Sequence, residues 1–209
     1  MIEETHHLEL IHRLVGYVER AREPRTLTFS HPLVGVEIGV DRGQLSEALL
    51  GVFPDLRLHM IDLWGEYPDG SHYRTTGDVR AARSQRKWDE IYANAKERLA
   101  FAGSRAVFHR MTSNSAASEA DSLGIGDGTL DFVFVDGDHS YEGCRNDILN
   151  WAPKVKADGV FGGHDWDNPK CGRVRDGVQR AVEQICNEQE RQYELGYGMT
   201  WFFKGPHHI

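Results

Sequence analysis

Cysteine is scarce in this chain. Cys144, Cys171 and Cys186 are the three among 209 residues, an odd number with no C-x-x-C spacing. That argues against a disulfide framework and reads as reduced thiols that pack. Long apolar runs are missing too: no stretch approaches the ~20 residues that a membrane-spanning helix needs. The opening MIEETHHLELIHRLV is acidic and polar, unlike a secretory leader. The chain is therefore expected to be soluble and cytoplasmic, with no membrane partner. Basic residues are the minority, 24 Lys and Arg against 32 Asp and Glu, for a net charge of −8. A phosphate backbone wants clustered cations, so nucleic acid is an unexpected partner. What is present is an ordinary globular balance, 40% hydrophobic and 27% charged, at a length that suits one domain. Histidine stands out at 11 residues. The pairs His6–His7 and His207–His208 lie near the two ends and read as solvated.

Strand-like and helix-like segments alternate, the pattern of a parallel sheet covered by helices. A helix is expected from Glu3 to Arg22, with Leu8, Ile11, Val15 and Val18 on one face. Strands are expected at Val34–Val40, Leu56–Ile61, Arg105–His109, Asp131–Val135 and Gly159–Gly163, with two closing strands at Gln192–Tyr197 and Thr200–Lys204. LDFVFV at Leu130–Val135 is almost wholly apolar, as a strand buried on both faces must be. Helices are expected after Gly43, over Val79–Phe101, over Ser140–Trp151, and along Val174, Val178, Ala181, Val182 and Ile185. Leu63–Asp78 has glycine, proline, Trp64, Tyr67 and Tyr73 and reads as a lid loop. The expected architecture is a doubly wound α/β domain spanning 1–209, its mostly parallel seven-stranded sheet flanked by helices on both faces, with residues 1–30 as an N-terminal helical extension.

VEIGVDRG, from Val36 to Gly43, joins a strand to a helix, where glycine lets the backbone turn tightly and free N–H groups face a ligand. A dinucleotide fingerprint needs G-x-G-x-x-G. Only Gly39 and Gly43 are here, and Asp41 takes the middle glycine's place; its charge opposes a pyrophosphate and tolerates a cation. A simple tight turn is the plainer reading. Asp62 ends the next strand, where an acid can take both ribose hydroxyls of a nucleoside.

These features resemble the class I S-adenosylmethionine (SAM) methyltransferases, from VEIGVDRG through IDLW to FVFVDGDHSYEGCRNDILNWAPKVKADGVFGGHDW. The longer segment resembles a subgroup of metal-dependent O-methyltransferases that act on sugars and other small hydroxylated molecules. The resemblance implies a Rossmann-like methyltransferase fold and SAM as cofactor. Glu37, Gly39 and Gly43 would line its methionine part, Asp62 would hold the ribose, Leu63 and Trp64 would flank the adenine, and Ser113 would sit near it.

Asp136-Gly137-Asp138-His139 follows one predicted strand, and His164-Asp165-Trp166-Asp167 the next. Neighbouring strands end at the same rim, so carboxylates and imidazoles there could hold a divalent cation. The resemblance implies that Asp136 lines the cofactor site and is a metal ligand, and that His139 is the general base. The pair after the fifth strand is commonly two acids, or an acid with an amide; here it is His164-Asp165, and a histidine ligand shifts preference from Mg²⁺ toward Mn²⁺ or a later metal. Asp138 reads as a loop acid, His59 as structural, and Trp166 as either a pocket wall or packing. The leading reading is a SAM-dependent O-methyltransferase for a small-molecule acceptor, with monomer and homodimer both left open. A nicotinamide-dependent oxidoreductase and a non-catalytic SAM- or sugar-binding module stand as alternatives.

Overall fold

The computed structural model describes residues 5–21, 32–67, 72–75, 78, 80–169, 171 and 175–205. His207–His208, Pro24, Val174 and part of the aromatic loop, with Pro68, Gly70 and Gly77, lie outside them.

Helices α1 (Thr5–Ala21), α2 (Gln44–Val52), α3 (His72–Thr75), α4 (Gln85–Arg98), α5 (Ser113–Ser118), α6 (Tyr141–Trp151) and α7 (Gly177–Glu188) surround a seven-stranded sheet. Its strands are β1 (Val34–Ile38), β2 (Arg57–Asp62), β3 (Ala106–Arg110), β4 (Leu130–Val135), β5 (Val155–Gly163), β6 (Gln192–Leu195) and β7 (Trp201–Lys204), in the order β3-β2-β1-β4-β5-β7-β6. The first five run parallel, and β7 is antiparallel to both β5 and β6. This is the expected doubly wound sheet, closed by a hairpin at one edge.

The alternation of side chains along each strand divides the core in two. Val36, Ile38, Val133 and Val135 face one way, under α6 and α7 with Ile148, Trp151, Val182 and Ile185. Leu58, Met60, Phe132 and Phe134 face the other, under α1, α2 and α4 with Leu10, Leu49 and Trp88. All six residues of β4 are buried, so both faces contribute. Each such Phe or Val is worth ~1.5–3 kcal/mol relative to exposure.

Several expected boundaries move. On α1 the buried stripe is Leu10, Leu14, Tyr17 and Val18, while Leu8 is exposed. The apolar positions of this helix form two overlapping stripes, and Asp131 decides between them by accepting the Tyr17 hydroxyl at 2.7 Å. Helix α4 starts at Gln85 rather than Val79, because Ser84 caps it by accepting from the Lys87 N–H. Val79 lies outside the described residues, and Arg80–Ala82 are used in a turn instead. Helix α5, capped by Thr112, was not expected from its short, weakly apolar sequence. Strand β5 begins at Val155, not Gly159, and a register irregularity opposite Leu130–Phe132 absorbs the added residues.

Candidate active site

Successive strand ends are stitched across the rim. Met111 N–H donates to the Asp62 carbonyl, Gly39 N–H to Ile61, Asp136 N–H to Ile38, and His164 N–H to Val135. Five segments far apart in sequence are thereby set side by side, in the order β3, β2, β1, β4, β5. The loops that follow are held in uncommon backbone: Asp41 (φ 47°), Trp64 (φ 39°), Asp165 (φ 63°) and Asp167 (φ 50°) all lie in the left-handed region. Each such residue costs ~1–3 kcal/mol and persists only where its surroundings over-determine it.

Gly39, at φ +84°, is obligatory here. A Cβ on it would lie 2.1 Å from the Asp136 carbonyl oxygen, so its job is to let the β1 and β4 loops touch. Asp62 staples the β1 turn: Oδ2 accepts from the N–H groups of Val40 (3.0 Å) and Asp41 (2.9 Å), and Oδ1 from Trp64 N–H at 2.8 Å. Three of the roughly four acceptor sites of a carboxylate are so used, leaving capacity for a hydroxyl. Burial raises its pKa against those three bonds. Gly43, at φ +74°, is the N-cap of α2.

Asp41 and the other expected cofactor residues lie around this turn. The Asp41 charge is not open to a ligand: Arg83 lies 2.6 Å from its Oδ1 and Arg80 3.6 Å from its Oδ2. Glu37 is buried beneath the turn, where the Ser46 hydroxyl donates to it, and burial lifts its pKa to about 8. Trp64 is fully buried, its indole packed on Tyr92 and Phe108 and its N–H donating to the Asp41 carbonyl. Neighbouring Leu63 is half-buried. Ser113, also half-buried, donates to Asp147 at 2.5 Å and accepts from the Trp151 indole at 2.8 Å. Burial lifts Asp147 to about 7.

The acids and histidines after β4 and β5 do converge. His139 Nε2 lies 2.8 Å from Asp165 Oδ2 and 3.4 Å from Asp136 Oδ1. His164 Nδ1 lies 3.4 Å from Asp136 Oδ1 and 3.1 Å from Asp165 Oδ1. Asn168 donates to Asp165. Burial would neutralise the two imidazoles, but the carboxylates outweigh it: His139 is raised well above its ordinary range and His164 to about 10. In return Asp136 falls to about 2 and Asp165 is strongly lowered, again against burial.

The donor atoms of Asp136, His164 and Asp165 all lie within 4.8 Å of one another. Buried His139 Nε2 approaches its acids without an aligned hydrogen bond. Oxygen and nitrogen donors that converge in this way fit a divalent cation.

The rim includes residues that sequence reasoning passed over. His6 is not solvated: its ring packs 4.3 Å from that of His164 and 6.5 Å from Phe134, and burial, with His164, lowers its pKa to about 4. The α1 N-terminus docks on the rim, which no local pattern around His6 reveals. Cys171 Sγ lies 3.4 Å from His139 Nδ1, and Asp78 Oδ2 lies 3.6 Å from the same nitrogen. Asp138 does act as a loop acid, accepting from Ser140 N–H at 2.9 Å, and Ser140 caps α6. Trp166 packs on Tyr193, with rings 5.1 Å apart. His59, in the sheet, pairs with His109 at 3.0 Å.

A family model described as a methyltransferase domain matches residues 36–166, from the glycine turn to just past Asp165. The chain belongs to this methyltransferase-domain family. The match covers more than half of its length and includes both clusters of the rim. No curated protein matches the chain significantly. Solved structures share its fold at low identity. CalS11, a calicheamicin methyltransferase, is 16% identical with a TM-score of 0.66, covering 96% of this chain and 78% of that one. The O-methyltransferase NovP is 16% identical with a TM-score of 0.63, covering 93% and 80%. The O-methyltransferase TomG of Streptomyces achromogenes, involved in tomaymycin synthesis and solved with SAM, is 19% identical with a TM-score of 0.56, covering 94% and 78%. The methyltransferase domain is thus a seven-stranded Rossmann-like one. No helix among its described residues is long and apolar enough to cross a membrane.

Proposed function

We propose that this methyltransferase domain moves the methyl group of SAM to a hydroxyl oxygen of a small molecule, with a divalent cation at the rim. The observation that carries the reading is the Asp136–His164–Asp165 cluster, with His139 against it, one strand away from the glycine turn. Family membership supplies the methyl chemistry; the rim supplies a place to ionise a hydroxyl. Asp62 and the β1 turn hold the nucleoside end, and Asp136 marks where the two halves of the site meet. Asp136, His164 and Asp165 would hold the cation, which supplies Lewis-acid polarisation of the acceptor hydroxyl. With the Asp136 and Asp165 carboxylates engaged by the cation, the His139 imidazole would be neutral and its Nε2 would take the hydroxyl proton, while the rim fixes the in-line approach of oxygen to the sulfonium methyl. A histidine among the ligands favours Mn²⁺ or a later metal over Mg²⁺. That NovP and TomG are O-methyltransferases supports oxygen as the acceptor atom.

The test is calorimetry with SAM and with Mn²⁺, followed by turnover on a panel of sugars and phenols. SAM is expected to bind, and His139→Ala and Asp136→Ala are each expected to lower kcat about 100-fold or more. Asp136→Ala should also abolish Mn²⁺ binding. Absence of SAM binding would refute the reading, and binding without transfer across the panel would leave a non-catalytic binding module.

A further inference from the structure

Asp78 is 61 residues from His139 in sequence, yet it is buried against that ring. Its Oδ2 lies 3.6 Å from Nδ1, while Nε2, on the opposite edge of the imidazole, points at Asp165 and Asp136. The ring is bracketed by acids, with Nδ1 toward Asp78 and Nε2 toward the metal-binding rim. Asp78 is itself held: Oδ2 accepts the Tyr73 hydroxyl at 3.0 Å, and Oδ1 accepts the Arg80 N–H at 2.7 Å. The turn continues with Ala81 N–H donating to the Asp78 carbonyl and Arg83 N–H to that of Arg80. Arg80 and Arg83 then reach back to Asp41 in the glycine turn. A continuous chain of contacts therefore links the β1 turn to the proton-accepting ring: Asp41, Arg80 and Arg83, Asp78, His139.

We propose that Asp78 is the positioning residue of His139, and that Asp78, with Arg80 and Arg83, couples the nucleoside-binding turn to the orientation of that imidazole. The role rests on the reading of His139 as the proton acceptor. At 3.6 Å the contact is electrostatic rather than a hydrogen bond. Catalytic contacts of this kind commonly shorten when a site is filled. An Nδ1–H held toward Asp78 leaves Nε2 as the basic nitrogen, on the edge that faces the rim. The Cys171 sulfur is the competing neighbour of Nδ1, at 3.4 Å. A thiol is a weak acceptor and a carboxylate a strong, charged one, so Asp78 governs the orientation.

The experiment pairs a spectroscopic readout with kinetics. Proton NMR of the wild type, with His139→Gln as the assignment control, is expected to show a downfield, slowly exchanging His139 Nδ1–H. In Asp78→Asn the signal should move upfield and exchange faster, whereas Cys171→Ser should keep it. In turnover, Asp78→Asn should lower kcat about tenfold or more with KM for SAM within about twofold, and Asp78→Glu should restore part of the rate. The proposal is overturned if Asp78→Asn leaves the Nδ1–H signal unchanged, or if Cys171→Ser rather than Asp78→Asn abolishes it. It is equally overturned if kcat and thermal stability fall together while the signal persists. Should the wild type methylate no acceptor, the methyl-transfer reading fails on its own, and the NMR readout still decides the Asp78–His139 contact.

Discussion

Glu37 shows how one buried carboxyl shapes behaviour with pH. Burial dominates, raising its pKa from 4.5 to about 8 against the Ser46 hydrogen bond, with Asp136 and Asp62 adding to the rise. The folded chain thus keeps a proton that the unfolded chain releases above about pH 4.5. Because the folded state binds more protons, this stabilising contribution is full below that pH and is lost as pH rises through about 8. A tenfold difference in proton affinity between the two states corresponds to ~1.4 kcal/mol. Glu37→Gln keeps the neutral, hydrogen-bonding shape and removes the titration. Urea denaturation of the two proteins is expected to give a stability difference that moves in favour of Glu37→Gln between pH 5 and pH 8.5. Parallel pH profiles would contradict the raised pKa. The rim acids behave in the opposite sense. Asp136, lowered to about 2, gains stability from its imidazole partners that disappears only as pH falls through that value.

Among the elements, the segment Arg80–Ser84 departs most from its sequence pattern. Val79–Phe101 reads as one helix because its charged and apolar residues keep helical spacing. Ser84 stops the helix short by offering its hydroxyl to a free N–H, and the freed arginines cross to Asp41. Arg83 also lies 4.8 Å from the Trp88 ring centroid, so one side chain joins α4 to the glycine turn. The Asp41 pair is partly exposed, which limits it to ~1 kcal/mol, about fivefold in an equilibrium constant. Arg83→Ala is therefore expected to weaken SAM binding about fivefold by calorimetry, with a smaller change in kcat. Unchanged affinity would show that the turn is not coupled to the nucleoside end. The same contrast holds on α1. Helical periodicity marks it as amphipathic, but the choice between its two apolar stripes belongs to Tyr17 and its partner in β4.

At the scale of the whole molecule, Asp131 ties the N-terminal helix to the sheet. It is buried and accepts from the Tyr17 hydroxyl, from Val34 N–H at 2.8 Å and from Lys156 Nζ at 2.6 Å. Asp131→Ala strands all three donors and should cost ~3 kcal/mol or more, read as a lower urea midpoint. Because α1 carries His6 onto His164, hydrogen exchange in α1 should also rise; unaltered α1 protection would place the anchor elsewhere. The parallel sheet was legible because its strands are short apolar runs whose periodicity is local. The rim acids were legible because each follows a strand, and neighbouring parallel strands end on one side. Asp78 and His6 were not, since each reaches the rim from a segment whose own pattern is that of a loop or a surface helix. Nor was the fate of the Asp41 charge, which depends on arginines about forty residues away. The sequence by itself determined the order of the strands and of the longer helices, and the chemistry available at their ends, because those follow from residue spacing along the chain. Only the tertiary structure decided which charges neutralise one another, which imidazole edge faces the rim, and which helix face is buried, because these depend on distances between segments that the chain connects only through the fold.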